Sequence, residues 1–212
     1  MFVPRKFAET DPAALDWLLA HDAFATLVSS VDGEPFASHI PVLCRRDGER
    51  TCFEGHVARA NPQWQQLAGQ TALLIVHGPH AYVSPSWYPD PAQSVPTWNY
   101  AVAHVYGRSE VYEDAPRLQA LVAKLSAKYE SAIGSGWRFP EAAPDTVHEL
   151  RGIVGFRLEA TRIEVKYKLN QHHPEAKVRS AAAALAAQPV DDAAAVGALM
   201  LDRLARRTGA TP

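Results

Sequence analysis

Residues 23–57 decide the fold: AFATLVSSV (23–31), Asp32-Gly33, EPFASHIPVLCRR (34–46), Asp47-Gly48 and ERTCFEGHV (49–57). Three runs rich in β-branched and aromatic residues are parted by two Asp-Gly dipeptides. Asp-Gly between such runs signals a two-residue hairpin turn, whose central positions need φ > 0. Two-residue loops set a register and therefore assign faces. They pair Val31 with Glu34 and Arg46 with Glu49. Counting from those pairs, Leu27, Val31, Phe36, Ile40, Val42, Phe53 and Val57 share an apolar face that should turn inward. Thr26, Ser30, His39, Glu54 and His56 share a polar face that should turn toward solvent, a ligand or a second subunit. Cys44 and Cys52 fall on opposite faces, so no disulfide joins them.

Outward from this core the pattern is mostly strand, with helices added. DPAALDWLLA (11–20) reads as a helix with Thr10 or Asp11 as cap and Pro12 at its first position. NPQWQQLAG (61–69) reads as a second, with Asn61 as cap and Pro62 first. TALLIVHGPHAYVSP (71–85) reads as two strands interrupted at Gly78-Pro79. A Pro-rich loop follows. TWNYAVAHVYGRSEVYE (97–113) alternates, with Trp98, Tyr100, Val102, His104 and Tyr106 on one side. Residues 114–130 read as a helix capped by Asp114, 131–150 as loop with one turn near Asp145, and RGIVGFRLEATRIEVKYKL (151–169) as a long strand region. From Pro174 the chain is Ala-rich and helical, split at Gln188-Pro189. The expected class is mainly β with added helices, a Greek-key antiparallel barrel. Its domain spans 1–171, and 172–212 packs on that domain as a helical extension. Exposed sheet edges need cover, which a second copy supplies.

Composition bounds the partners. The 212 residues carry a net charge of −2, with 47% hydrophobic and 21% charged residues, an ordinary globular balance. Such a charge does not favour a nucleic-acid partner. No apolar run reaches the roughly 18 residues of a membrane span. The start lacks the apolar stretch of a secretory signal, and there are only two cysteines. The expected compartment is the cytoplasm, with no membrane association.

Three constellations carry chemistry. His56-Val-Ala-Arg59-Ala-Asn61-Pro62 takes a strand end into a capped helix, with a guanidinium beside free helix amides; such a junction suits a phosphate. An ordinary capped helix with a surface Arg explains the same residues. Thr97-Trp98-Asn99-Tyr100 offers polar groups for a heterocycle edge and rings for its face, although an aromatic strand packed in a core reads the same way. Lys166 and Lys168 share one strand face, suited to an anion or to protecting an edge. His77/His80 and His172-His173 lack metal-ligand spacing.

Five motifs add a resemblance: VPRKF (3–7), GHVARANPQW (55–64), GPHAYVSPSWY (78–88), VPTWNYAVAHVYG (95–107) and IVGFRLEATRIEVKYKLNQ (153–171). In this order they closely resemble the PaiB-like family, described as FMN-binding negative transcriptional regulators. The resemblance implies an FMN-binding split barrel of the pyridoxamine-phosphate-oxidase-like kind and a homodimer with FMN sites between subunits. Carried onto this chain, the cofactor-binding residues are His39, Ile40, Pro41, His56, Val57, Arg59, Asn61, Thr97, Trp98, Asn99, Lys168 and Gln171. The chain departs from the family pattern at Val165, Asn170 and His172, where Gly, Ser and Asn are common. A DNA partner rests on the family description alone, since no recognition helix is visible. A flavin-dependent oxidoreductase, with His39, Tyr100 and His104 near substrate, and a non-catalytic FMN sensor or store are the competing functions.

Overall fold

A computed structural model describes residues 1–48, 50–140 and 144–209. Its elements are β1 (Ala8–Glu9), α1 (Pro12–His21), β2 (Phe24–Val31), β3 (Glu34–Pro41), β4 (Leu43–Asp47), β5 (Arg50–Ala58), α2 (Gln63–Leu67), β6 (Thr71–Val83), β7 (Thr97–Tyr112), α3 (Ala115–Ala132), α4 (Pro144–Glu149), β8 (Ile153–Lys168), α5 (Glu175–Ala186) and α6 (Asp191–Thr208). The strands run in the order β3-β2-β6-β7-β8-β5-β4, with β1 paired to β8. Each pairing with a recorded register is antiparallel. This is the split-barrel class that the sequence predicts.

The chain forms two compact units, each discontinuous in sequence. The first comprises Met1–His21, His77–Ala103 and the chain from Glu164 on, and so includes α1, α5 and α6. The second comprises Asp22–Val76 and His104–Ile163.

In the second unit the first hairpin follows the sequence. Val31 pairs with Glu34, and Asp32 and Gly33 both have positive φ, at 53° and 86°. The next turn lies one residue further on. Asp47 pairs with Arg50, as opposite charges on facing strands favour, and Gly48 takes the left-handed conformation at φ 57°. Arg46 therefore pairs with Thr51; its expected partner, Glu49, lies outside the described residues. Each pairing moves by two places, an even number, so the predicted faces survive. Leu27, Val42 and Phe53 are fully buried, and Cys44 and Cys52 are free thiols.

Two readings of this region need correction. Residues 34–46 are two strands, not one. Pro41 ends β3, and the Val42 N–H donates to Ala23 O at 3.0 Å instead of continuing the ladder. After this step the chain pairs with β5, so β3 and β4 stand at opposite ends of the strand order. Thr26, expected outward, is buried, with its Oγ1 3.0 Å from His39 Nδ1.

Helix α2 is sewn to the hairpin by glutamines. The fully buried Gln63 donates from Nε2 to Ser29 Oγ at 3.0 Å and toward Leu27 O and Phe36 O at 3.2 Å. Gln66 exchanges bonds with the N–H and carboxylate of Asp32, and Gln70 with the N–H and C=O of Ser30. A separate cluster of Tyr112, Leu118, Leu121, Leu125 and Leu150 fastens α3. Asp114 caps α3 as expected, accepting from Arg117 N at 3.0 Å.

In the first unit Leu18, Tyr167, Leu169, Leu185, Val196 and Met200 form the buried centre. Gly78-Pro79 does not interrupt a strand: β6 runs through it. The glycine is there for packing, because a Cβ at residue 78 would lie 2.4 Å from Leu18 Cδ2 and 2.9 Å from Ala101 O. Strand β7 alternates as predicted. The small residues Asn99, Ala101 and Ala103 point inward, and the larger Trp98, Tyr100 and Val102 point outward. No helix among the described residues is long and apolar enough to cross a membrane.

Gln63→Ala should lower the unfolding free energy by about 2–3 kcal/mol, because Leu27 O and Phe36 O lose a buried donor. Urea titration against wild type measures this; a loss below about 0.5 kcal/mol would show that the amide is dispensable.

Candidate functional site

The predicted site residues fall into two groups, one in each unit. In the second unit, His39, Ile40 and Pro41 lie at the end of β3, and His56 and Val57 near the end of β5. The side chains of Ile40 and Val57 are buried, so only their backbone is available to a ligand. His39 is exposed, as the register predicts. His56 is half-buried; its Nδ1 has no hydrogen-bond partner among the described residues, and burial holds its pKa below the ordinary 6.5.

The junction after β5 is arranged differently from the sequence expectation. The side chain of Asn61 accepts from Gln63 N at 2.9 Å and donates to Ser38 Oγ at 2.8 Å, which brings the loop onto β3. Helix α2 has only five residues, so little dipole accumulates at its start. Arg59 does not project freely toward a ligand. Its guanidinium pairs with Glu113, donates from Nε to Arg151 O at 2.6 Å and reaches Ile153 O at 3.4 Å. Its backbone N–H donates to Gly152 O at 2.8 Å. Arg59 thus clamps the chain entering β8. Sequence reading missed this because Glu113 lies 54 residues away.

The first unit gathers Thr97, Trp98, Lys168 and Gln171. Lys168 donates to Thr97 Oγ1 and, at 2.7 Å, to Trp98 O. No carboxylate pairs with it among the described residues. Burial, and then the neighbouring Lys166, lower its pKa. The buried Lys166 donates to Phe2 O at 3.1 Å and sits 5.1 Å from the Tyr100 ring centroid. Gln171 closes its own turn, accepting from Leu169 N at 2.8 Å and donating to Tyr167 O. That turn needs a left-handed residue, and Asn170 supplies it at φ 62°. Asn tolerates this region better than most residues, which explains its place and its bond to Tyr88 Oη at 2.8 Å. Arg207 holds the same turn from α6, donating to Gln171 O and His173 O at 2.8 Å.

One predicted residue does not face a ligand. Asn99 is fully buried, and its Nδ2 contacts Met200 Sδ at 3.3 Å. Strand alternation sends it to the α6 side, away from Trp98 and Tyr100. The Trp98 indole is 54% exposed and stands beside His80 and Tyr82. The rings of Trp98 and Tyr100 therefore do not fill a core, whereas Tyr112 at the far end of β7 does. His172 and His173 lie with ring centroids 4.1 Å apart, tilted by 41°, and burial, followed by neighbouring charged groups, lowers both pKa values.

Comparison with known proteins agrees with this architecture. Residues 1–162 match the family described as "Putative FMN-binding domain". The chain is 31% identical over 209 residues to the protease synthase and sporulation protein PAI 2 of Bacillus subtilis (strain 168), covering 98% of this chain and all of that protein. The flavocytochrome Anf3 from Azotobacter vinelandii superposes with a TM-score of 0.58 at 20% identity, covering 78% of this chain and 72% of the other. An FAD and heme binding protein from Mycobacterium smegmatis superposes at 0.54 and 23% identity, covering 76% and 73%. These two likenesses establish the fold.

Arg59→Ala should destabilise the protein by about 1–2 kcal/mol, since an exposed ion pair and two carbonyl bonds are lost together; chemical denaturation checks this. His56 provides a pH test. Its folded pKa lies below 6.5, so the folded state binds fewer protons than the unfolded state, and its stability contribution is lost as pH falls below 6.5. Unfolding free energy should drop between about pH 7 and pH 5, and His56→Gln should flatten that drop. An unchanged slope in the variant would assign the titration to His172 and His173.

Proposed function

Since the chain belongs to the FMN-binding, PaiB-like family, we propose that it is a regulatory protein that carries FMN and holds the cofactor's phosphate with Lys168. The carrying observation is the electrostatic state of that lysine. It is a half-buried ammonium, fixed by Thr97 and Trp98 within a family motif, with Lys166 nearby and no carboxylate to balance it among the described residues. A dianion is the partner such an arrangement lacks.

The residues present fit the cofactor's chemistry. Lys168 supplies the cation, Thr97 a hydroxyl and Tyr100 an aromatic face. In the second unit His39, Pro41 and the backbone of Ile40 and Val57 form a separate set of polar and apolar groups, beside a His56 Nδ1 that has no hydrogen-bond partner among the described residues. Asn61 acts by holding its loop on Ser38. Arg59 positions the entry to β8, and Asn99 supports α6, so neither heads the ligand set. Bound FMN supplies hydride and one-electron chemistry, while the protein supplies binding and orientation.

Regulation of transcription, the homodimer and the cytoplasmic location belong to this same proposal. The family resemblance supports them, and the end-strand position of β3 and β4 supports a second copy as cover for the edges. A flavin-dependent oxidoreductase is separated from this reading by turnover of a nicotinamide or of oxygen, and a sensor or store by the absence of both turnover and DNA binding.

The purified protein should absorb near about 375 and 450 nm, as oxidised flavin does. Lys168→Gln should weaken FMN binding about ten- to a hundredfold while changing riboflavin affinity little. Equal losses for both ligands would place Lys168 at the ring. Unchanged FMN affinity would remove it from the site.

A further inference from the structure

The first unit also holds a cavity of about 640 Å³ between strands β6 and β7 and the turn from α5 into α6. Its volume is in the range of small-molecule sites. Tyr82, Trp87 and Trp98 supply aromatic faces, Asp191 and Asp192 supply carboxylates, and His80 stands among them. No lysine or arginine lines it.

The charges are unevenly spent. Asp192 Oδ2 lies 3.2 Å from both the backbone N and the Nδ1 of His80. Asp191 has no cationic partner among the described residues. Acids in the first turn of a helix complement its dipole, which accounts for their place at the start of α6. It does not account for three aromatic side chains in front of them, of which Tyr82 is 45% and Trp98 54% exposed. Large aromatic surface left in water beside unspent negative charge suits one ligand class, because the face of an aromatic ring attracts cations. An anion would meet two carboxylates and no lysine or arginine.

We infer that this cavity binds an organic cation, an alkyl- or quaternary ammonium group seated against Trp87 and Trp98 with Asp191 as counter-charge. Trp98 enters the flavin proposal only through its carbonyl, so the two ligands are distinct.

The test uses the full chain with FMN bound. Choline and its neutral carbon isostere 3,3-dimethylbutan-1-ol are titrated by saturation-transfer NMR. Choline should bind at least about tenfold more tightly than the isostere. Asp191→Asn and Trp87→Ala should each weaken choline about fivefold or more while FMN affinity stays at the wild-type value, which also shows that both variants fold. Equal binding of the two isosteres, or no saturable binding of choline, would overturn the inference. So would FMN displacing choline competitively, which would assign the cavity to the flavin. A loss of FMN binding by Lys168→Gln with choline binding intact would separate the two proposals.

Discussion

One buried amide, that of Gln63, orders much of the second unit. A primary amide out of water must find acceptors or cost several kcal/mol. Gln63 finds Ser29 Oγ and the carbonyls of Leu27 and Phe36, on both strands of the first hairpin. Helix α2 has five residues and cannot stand alone. Once tied down, it sets the loop from Arg59 to Asn61, and Asn61 then reaches Ser38 on β3. The hairpin register, the short helix and the junction are thus one cooperative object.

Electrostatics separates the two candidate anion binders. Arg59 and Lys168 are both cations in family motifs, and sequence spacing favours Arg59 because it precedes a helix start. Their surroundings reverse that preference. Arg59 is satisfied by Glu113 and two carbonyls, so a phosphate would have to compete with a carboxylate already in place. Among the described residues Lys168 is held by a hydroxyl and a carbonyl alone, and burial together with Lys166 disfavours its charge. A bound anion would relieve that cost. Where charge is stored without compensation is a better guide to a ligand than where charge occurs.

The same logic distinguishes the faces of β7. Alternation places Trp98 and Tyr100 on one side and Asn99 and Ala101 on the other, and the sequence shows this without ambiguity. Which side meets packed helices is a tertiary matter. The small residues admit α6 at close range, so Met200 reaches the amide of Asn99, and the rings are left toward solvent. A reader of sequence who assumes that aromatic residues mark the core inverts this strand.

Local chemistry was enough for the strand and helix pattern, the Asp32-Gly33 turn, the apolar face of β2 to β5, the cap at Asp114, and membership in the flavin-binding split-barrel class. Each depends on side-chain period, turn conformation or motif order, all carried by neighbours in the chain. The tertiary structure alone decided the step at Val42, the unbroken β6 through Gly78, the clamp on Arg59 and the burial of Asn99. Each of these depends on a partner distant in sequence: Ala23 for Val42, Leu18 and Ala101 for Gly78, Glu113 for Arg59 and Met200 for Asn99. Hydrogen-bond acceptors, close backbone approaches and counter-charges come from whatever the fold brings near, and spacing along the chain does not encode them.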